Sequence, residues 1–185
     1  YYKPLIFFAI FLSFVFYCAF SINNALSWDG WSTGDWLINF SSGFVRRGIL
    51  GEIIIQTSSL LGSKINYLTS AIQILCYFVF CSTLVRIILP KRITFWYFFW
   101  FTYPASIAFF IFDPAAVGRK EVLLFAFFSY WIVHLETTQS NSILKKVSLG
   151  TISIFLTLSH ELFLFFSGYF VFAAYLSNCK NACQI

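Results

Sequence analysis

Three polar clusters interrupt an otherwise apolar chain, and each combines side chains able to do chemistry. The first is Trp28-Asp29-Gly30-Trp31, then Gly34-Asp35-Trp36, then Gly43-Phe44-Val45-Arg46-Arg47-Gly48. Either aspartate could take a proton from a hydroxyl, and glycines beside both allow close backbone approach. Adjacent guanidiniums suit a phosphate, which each can grip through two parallel N–H bonds. The second cluster is Asp113-Pro114 followed by Gly118-Arg119-Lys120-Glu121. Its Asp-Pro step stops one helix and Arg-Lys-Glu opens the next. Arg119 and Lys120 add phosphate-binding charge, with Asp113 and Glu121 in supporting structural positions. The third is His160-Glu161, an acid–base pair in which the carboxylate sets the charge of the imidazole. Each cluster also has a plain structural reading. Arg46 and Arg47 could simply pair with Asp29, Asp35 or Glu52, Asp113-Pro114 could be punctuation, and His160-Glu161 could be a polar turn.

What must position these clusters is a set of membrane helices. Of the 185 residues, 59% are hydrophobic, 23% aromatic and only 10% charged. Soluble domains carry about a quarter charged residues, so this chain could not cover a water-exposed surface. The 26 Phe are spread along its whole length, which excludes a soluble domain on a single anchor. The formal charge of +5 does not point to nucleic acid, because basic residues gather on the loops of membrane proteins and no Lys/Arg run occurs.

Hydropathy marks spans at 5–25, 66–89, 93–112 (kinked at Pro104) and 122–136. A long apolar block, 147–176, carries Ser159-His160-Glu161 at its centre, where an ionisable pair would be costly in one continuous span. Two short helices, 147–158 and 162–176, with His160-Glu161 at the turn, remove that cost. Between Gly48 and Gly62, Ile49, Leu50, Ile53, Ile54, Leu60 and Leu61 share one helical face and Glu52, Gln56, Ser59 and Ser63 the opposite one, the pattern of a helix lying in the membrane interface. The expected fold is all-α: a polytopic transmembrane helix bundle of about six spans, the last two short, with an interfacial amphipathic helix after the first outer loop. Residues 1–185 form a single domain. The lack of Met suggests the N-terminal part of a longer protein.

With a cytoplasmic N-terminus, Lys3, Arg86, Lys91, Arg92, Lys145, Lys146 and Lys180 fall inside and Arg46, Arg47, Lys64, Arg119 and Lys120 outside. Of the carboxylates, only Glu136 falls inside; Asp29, Asp35, Glu52, Asp113, Glu121 and Glu161 gather at the outer face with His160. Cys18, Cys76 and Cys81 lie in apolar segments, Cys179 and Cys183 form a lone pair in the tail, and no zinc spacing occurs. His134 reads as interfacial.

On this layout, and on Gly34-Asp35-Trp36 through Gly48, Gly118-Arg119-Lys120-Glu121 and Ser159-His160-Glu161, the chain resembles polytopic glycosyltransferases that use lipid-linked donors (the GT-C class). It is also similar to bacterial membrane proteins of O-antigen and capsular polysaccharide polymerase type. The resemblance covers most of the chain in layout but only short motifs in residues, and members usually have more spans. It implies a polyprenyl-diphosphate-linked sugar bound at the outer face of the bacterial cytoplasmic membrane and transferred to an acceptor hydroxyl, with other polysaccharide-assembly proteins as potential partners. Arg46, Arg47, Arg119 and Lys120 would hold the diphosphate. Asp29 or Asp35 matches the class's first-loop carboxylate, a base or in some members a metal ligand; His160 and Glu161 are the alternative acid–base pair. No cofactor is predicted, and no motif supports a divalent metal. The rival classes are a transporter or flippase, which predicts ionisable residues along the spans and internal repeats, and a non-catalytic scaffold of an envelope complex. One geometric question separates them: whether Asp35, Arg46, Arg47, Arg119 and His160 line one cavity.

Overall fold

A computed structural model describes the chain apart from residues 1, 28, 29, 42, 44, 46, 104–112, 114–116, 138–142, 161 and 183–185. The described residues are helical, without strands. In chain order they form α1 (Lys3–Ser27), α2 (Gly30–Gly34), a 3-10 turn (Asp35–Leu37), α3 (Gly48–Leu61), α4 (Ile65–Ile88), α5 (Phe95–Thr102), α6 (Glu121–Thr137), α7 (Ile143–Ser159) and α8 (Leu162–Ala182).

The helices bury small polar residues beside apolar and aromatic ones, and leave many further large apolar residues outside. On α1 the buried positions are Ile6, Ile10, Ser13, Tyr17, Ser21 and Ala25, one stripe at helical spacing. The exposed face carries Leu5, Phe8, Phe11, Leu12, Val15, Phe16 and Ile22. On α4, Thr69, Ser70, Gln73 and Thr83 are buried beside Tyr77, Cys81 and Ile88, while Leu75 and Phe78 are exposed. Exposed apolar faces of this extent match a lipid environment.

Among the described helices, α1 and α4 are long and apolar enough to cross a membrane, and only 28% of each apolar window is buried. Of the six spans expected, these two are present at full length. Residues 121–134, 150–159 and 162–173 are shorter apolar helical stretches. The expected third span is described only in its first part, α5, since 104–112 with the Pro104 kink lies outside the described residues. The long apolar block does break where charge placement demands: α7 ends at Ser159 and α8 starts at Leu162.

Contacts set the direction of each helix. Lys3 Nζ donates to the Leu89 carbonyl at 2.8 Å, Ser13 and Tyr77 hydroxyls meet at 3.2 Å, and Ser21 and Ser70 hydroxyls at 2.9 Å, so α1 and α4 are antiparallel. Tyr17 and Tyr77 stack between them with ring centroids 4.1 Å apart. Helix α6 runs parallel to α4, as Gln73 meets Gly118 near its start, Phe80 meets Phe125, and Thr83 donates to Ser129 further on. Helix α8 is tied to α6 by Phe127–Phe163 and Phe128–Phe170 ring pairs at 5.7 and 5.0 Å. One end of the bundle therefore collects the end of α1, the loop after it, the starts of α4, α6 and α8, and the end of α7.

Helix α3 forms where the amphipathic pattern predicts, but its apolar arc is divided. Leu50 and Ile54 are buried with Gly48, Gly51 and Ser58, whereas Ile53, Leu60 and Leu61 stay exposed. The reason is close packing on the 37–40 segment: a Cβ on Gly51 would stand 2.0 Å from the Ile38 carbonyl oxygen. Backbone cannot yield as a side-chain tip can. Gly51→Ala is therefore expected to lower stability by about 1–3 kcal/mol, measured by thermal unfolding in detergent; an unchanged melting temperature would refute this contact.

Candidate functional site

Two anchors bring the polar clusters together. The 3-10 turn Asp35–Leu37 sends Trp36 wholly inside and leaves Asp35 half-buried at the bundle end. The Trp36 indole N–H donates to the carbonyl of Gly118, the first residue of the second cluster's basic motif. Gln73, fully inside α4, donates to the same carbonyl at 2.9 Å and to the Ser32 carbonyl at 3.3 Å. Its Oε1 accepts from the Ser21 hydroxyl at 2.9 Å, which fixes which way the amide faces. One carbonyl thus ties the loop after α1, and through Gln73 both α1 and α4, to the start of α6. Gly118 has φ of +83°, and an added Cβ would come 3.0 Å from Gln73 Nε2 and 3.1 Å from Ser32 Cβ, so a glycine is required twice over.

Beside these anchors opens a cavity of about 570 Å³ lined by Gly30, Gly34, Asp35, Ile38, Arg47, Arg119, Glu121, His160 and Leu162. That answers the geometric question for every residue in it that the structure describes: Asp35, Arg47, Arg119 and His160 line one cavity. Glu121 joins them, a residue given only a supporting structural role by its sequence position. Arg47 Nη1 stands 3.8 Å from Asp35 Oδ1, a long and partly exposed ion pair of the kind the plain structural reading anticipates. Glu52 does not share in it; it accepts from Gln56 on the exposed side of α3 at 2.9 Å. Gly30 and Gly34 form a bare wall, since a Cβ on either would meet nothing within 4 Å.

Lys120 does not line this cavity. It is fully buried between α6, α7 and α8, against a small void with Leu123, Leu124, Leu156, His160 and Phe163, and reaches the Arg47 carbonyl at 3.4 Å. Burial pushes its amine below the ordinary lysine value, partly opposed by the charge of Asp35 and reinforced by that of Arg47. A sequence assignment of Lys120 as a direct phosphate ligand therefore becomes a charge held just behind the cavity wall. Asp113 is exposed and is not among the lining residues. Asp29, Arg46 and Glu161 lie outside the described residues. Among the described residues no group of three or more His, Cys, Asp or Glu could hold a metal.

Sequence reasoning missed Gln73 and Trp36 as the residues that assemble the site. Gln73 had a usable signal, a carboxamide deep in an apolar span that cannot go unpaired in lipid. Trp36 had none, because interfacial Trp is ordinary. Comparison with known proteins finds no matching family model, no matching curated protein and no matching solved structure.

Two expectations follow from this construction. Gln73→Leu keeps the volume but removes one of the two donors to the Gly118 carbonyl, the donor to the Ser32 carbonyl and an acceptor of the Ser21 hydroxyl, and should cost about 1–3 kcal/mol in detergent unfolding; no loss would mean the network does not hold the site together. Lys120→Met removes a charge whose burial disfavours the ammonium form, so this variant should melt no lower than the parent. A marked loss of stability would instead make Lys120 a structural residue.

Proposed function

We propose that this chain is a membrane-embedded glycosyltransferase or polysaccharide polymerase whose cavity binds the diphosphate of a polyprenyl-diphosphate-linked sugar. The observation that carries the reading is the convergence of Asp35, Arg47, Arg119, Glu121 and His160, drawn from four separate stretches of sequence, on one cavity. Chance placement of polar loops would scatter such residues toward bulk water. Clustering two guanidiniums with a buried ammonium behind them raises local positive potential, which anions relieve. The exposed apolar flanks of α1 and α4 support a lipid-facing bundle with the cavity at its end, where a lipid-linked substrate would present its head group. On this reading the N-terminus is cytoplasmic and the cavity opens at the outer face of the bacterial cytoplasmic membrane, an orientation favoured by Lys3, Arg86, Lys91 and Arg92 at the other end. On the same reading α3, with Ile53, Leu60 and Leu61 exposed, would lie along that interface.

A carboxylate, Asp35 or Glu121, takes the proton of an acceptor hydroxyl as its oxygen bonds to the anomeric carbon. The bond from that carbon to the diphosphate oxygen breaks, and its electron pair stays on the diphosphate. Arg47 and Arg119 stabilise the charge that collects there. The bare wall of Gly30 and Gly34 leaves room for a sugar ring.

In detergent, the protein should bind inorganic pyrophosphate, and polyprenyl diphosphate more tightly. Arg47→Ala and Arg119→Ala should each weaken binding by about 10- to 100-fold, the size of a charge-assisted contact. Gly34→Leu should fill the cavity and block binding without loss of stability. In proteoliposomes, a lipid-linked sugar plus acceptor should release free polyprenyl diphosphate. Passage of the intact lipid-linked sugar across the bilayer would replace the enzyme reading with a transporter, and absence of any diphosphate binding would refute both.

A further inference from the structure

The imidazole of His160 is held in one orientation by the chain itself. His160 closes α7, its own N–H donating to the Leu156 carbonyl at 2.8 Å. Two residues later, the Leu162 N–H that opens α8 donates to His160 Nδ1 at 3.1 Å. The side chain thus caps a helix whose first N–H groups lack intrahelical partners. An acceptor nitrogen carries no proton, so the neutral ring must hold its proton on Nε2. Nε2 makes no hydrogen bond among the described residues, while the ring lines the cavity.

We infer that His160 serves the cavity as a neutral Nε2–H hydrogen-bond donor to the bound anion, and neither as a general base nor as an imidazolium. This rests on the anion-binding reading above and names the part His160 plays in it. To act as a base, Nε2 would have to lose its only proton. To become an imidazolium, Nδ1 would have to gain a proton and expel the Leu162 N–H, uncapping α8.

The surroundings support the neutral form. Burial lowers the affinity of His160 for a second proton; Glu121 and Asp35 oppose that shift, and Arg47 and Lys120 reinforce it. Arg119, on the same cavity wall, adds a further cation. The net direction is below the ordinary histidine value. A neutral donor of this kind can hydrogen-bond a phosphate oxygen throughout the neutral range without contributing charge that depends on pH. The proton of an incoming hydroxyl then has Asp35 and Glu121 as its acceptors among the described lining residues.

The test is nitrogen NMR of the full chain in detergent, with the His160 signals assigned by comparison with His160→Gln. The expected spectrum at pH 7 has a protonated Nε2 and a bare Nδ1, persisting below pH 6.5. A proton on Nδ1, or an imidazolium at pH 7, would overturn the inference. Pyrophosphate binding supplies the second readout. His160→Gln, whose amide still offers an N–H near the Nε2 position, should stay within about threefold of the parent, whereas His160→Ala should lose roughly tenfold. Parent-like binding by His160→Ala would sink this inference and leave the anion site standing. Failure of the parent itself to bind pyrophosphate would sink the anion site, and the role of His160 toward an anion with it.

Discussion

The carbonyl oxygen of Gly118 receives two buried donors, the Trp36 indole and the Gln73 amide, and everything at the functional end of the bundle is arranged around that point. A carbonyl removed from water must be paired, and here its partners come from two other parts of the chain. Trp36 stands next to Asp35, and Gly118 next to Arg119 and Lys120. Satisfying one backbone oxygen therefore brings a carboxylate and two cations within a few residues of each other. The positive φ of Gly118 turns its carbonyl toward these donors while the chain passes on into α6.

The same economy appears in the rest of the bundle. For helices placed in lipid, apolar contact between them would offer little advantage over contact with acyl chains, and packing and interhelical hydrogen bonds would carry the association. Ser13 with Tyr77, Ser21 with Ser70 and Gln73, and Thr83 with Ser129 are such bonds, spaced along α4 from one end to the other. They hold α1 and α6 on two sides of a common central helix. At the cavity end this scaffold is rigid enough to hold Lys120 buried against the preference of its ammonium for water. Lys120 thus lies between the cavity wall and a small apolar void.

Much of the architecture was legible before any coordinates. Apolar length and the scarcity of charge identify α1 and α4. The cost of an ionisable pair inside a span locates the break at His160. The placement of six of the seven carboxylates on one side of the hydropathy pattern anticipates the cavity end. Span count was less legible: α6 and α7 are helices of 17 residues, and among the described helices only α1 and α4 are long and apolar enough to cross a membrane.

What the sequence by itself determined is composition-driven: helices, their apolar flanks, the polar turns between them and the end of the bundle at which those turns collect. These follow from local cost, since each residue's transfer energy and each helix's length act without knowledge of the partner. Tertiary structure alone decided which polar residues meet. Glu121 became a cavity residue, Lys120 withdrew behind the wall, Arg47 took Asp35 rather than Glu52, and the His160 ring turned Nδ1 to Leu162. Those outcomes depend on hydrogen bonds between positions far apart in the chain, whose directions are set only once Gln73, Trp36 and Gly118 have met.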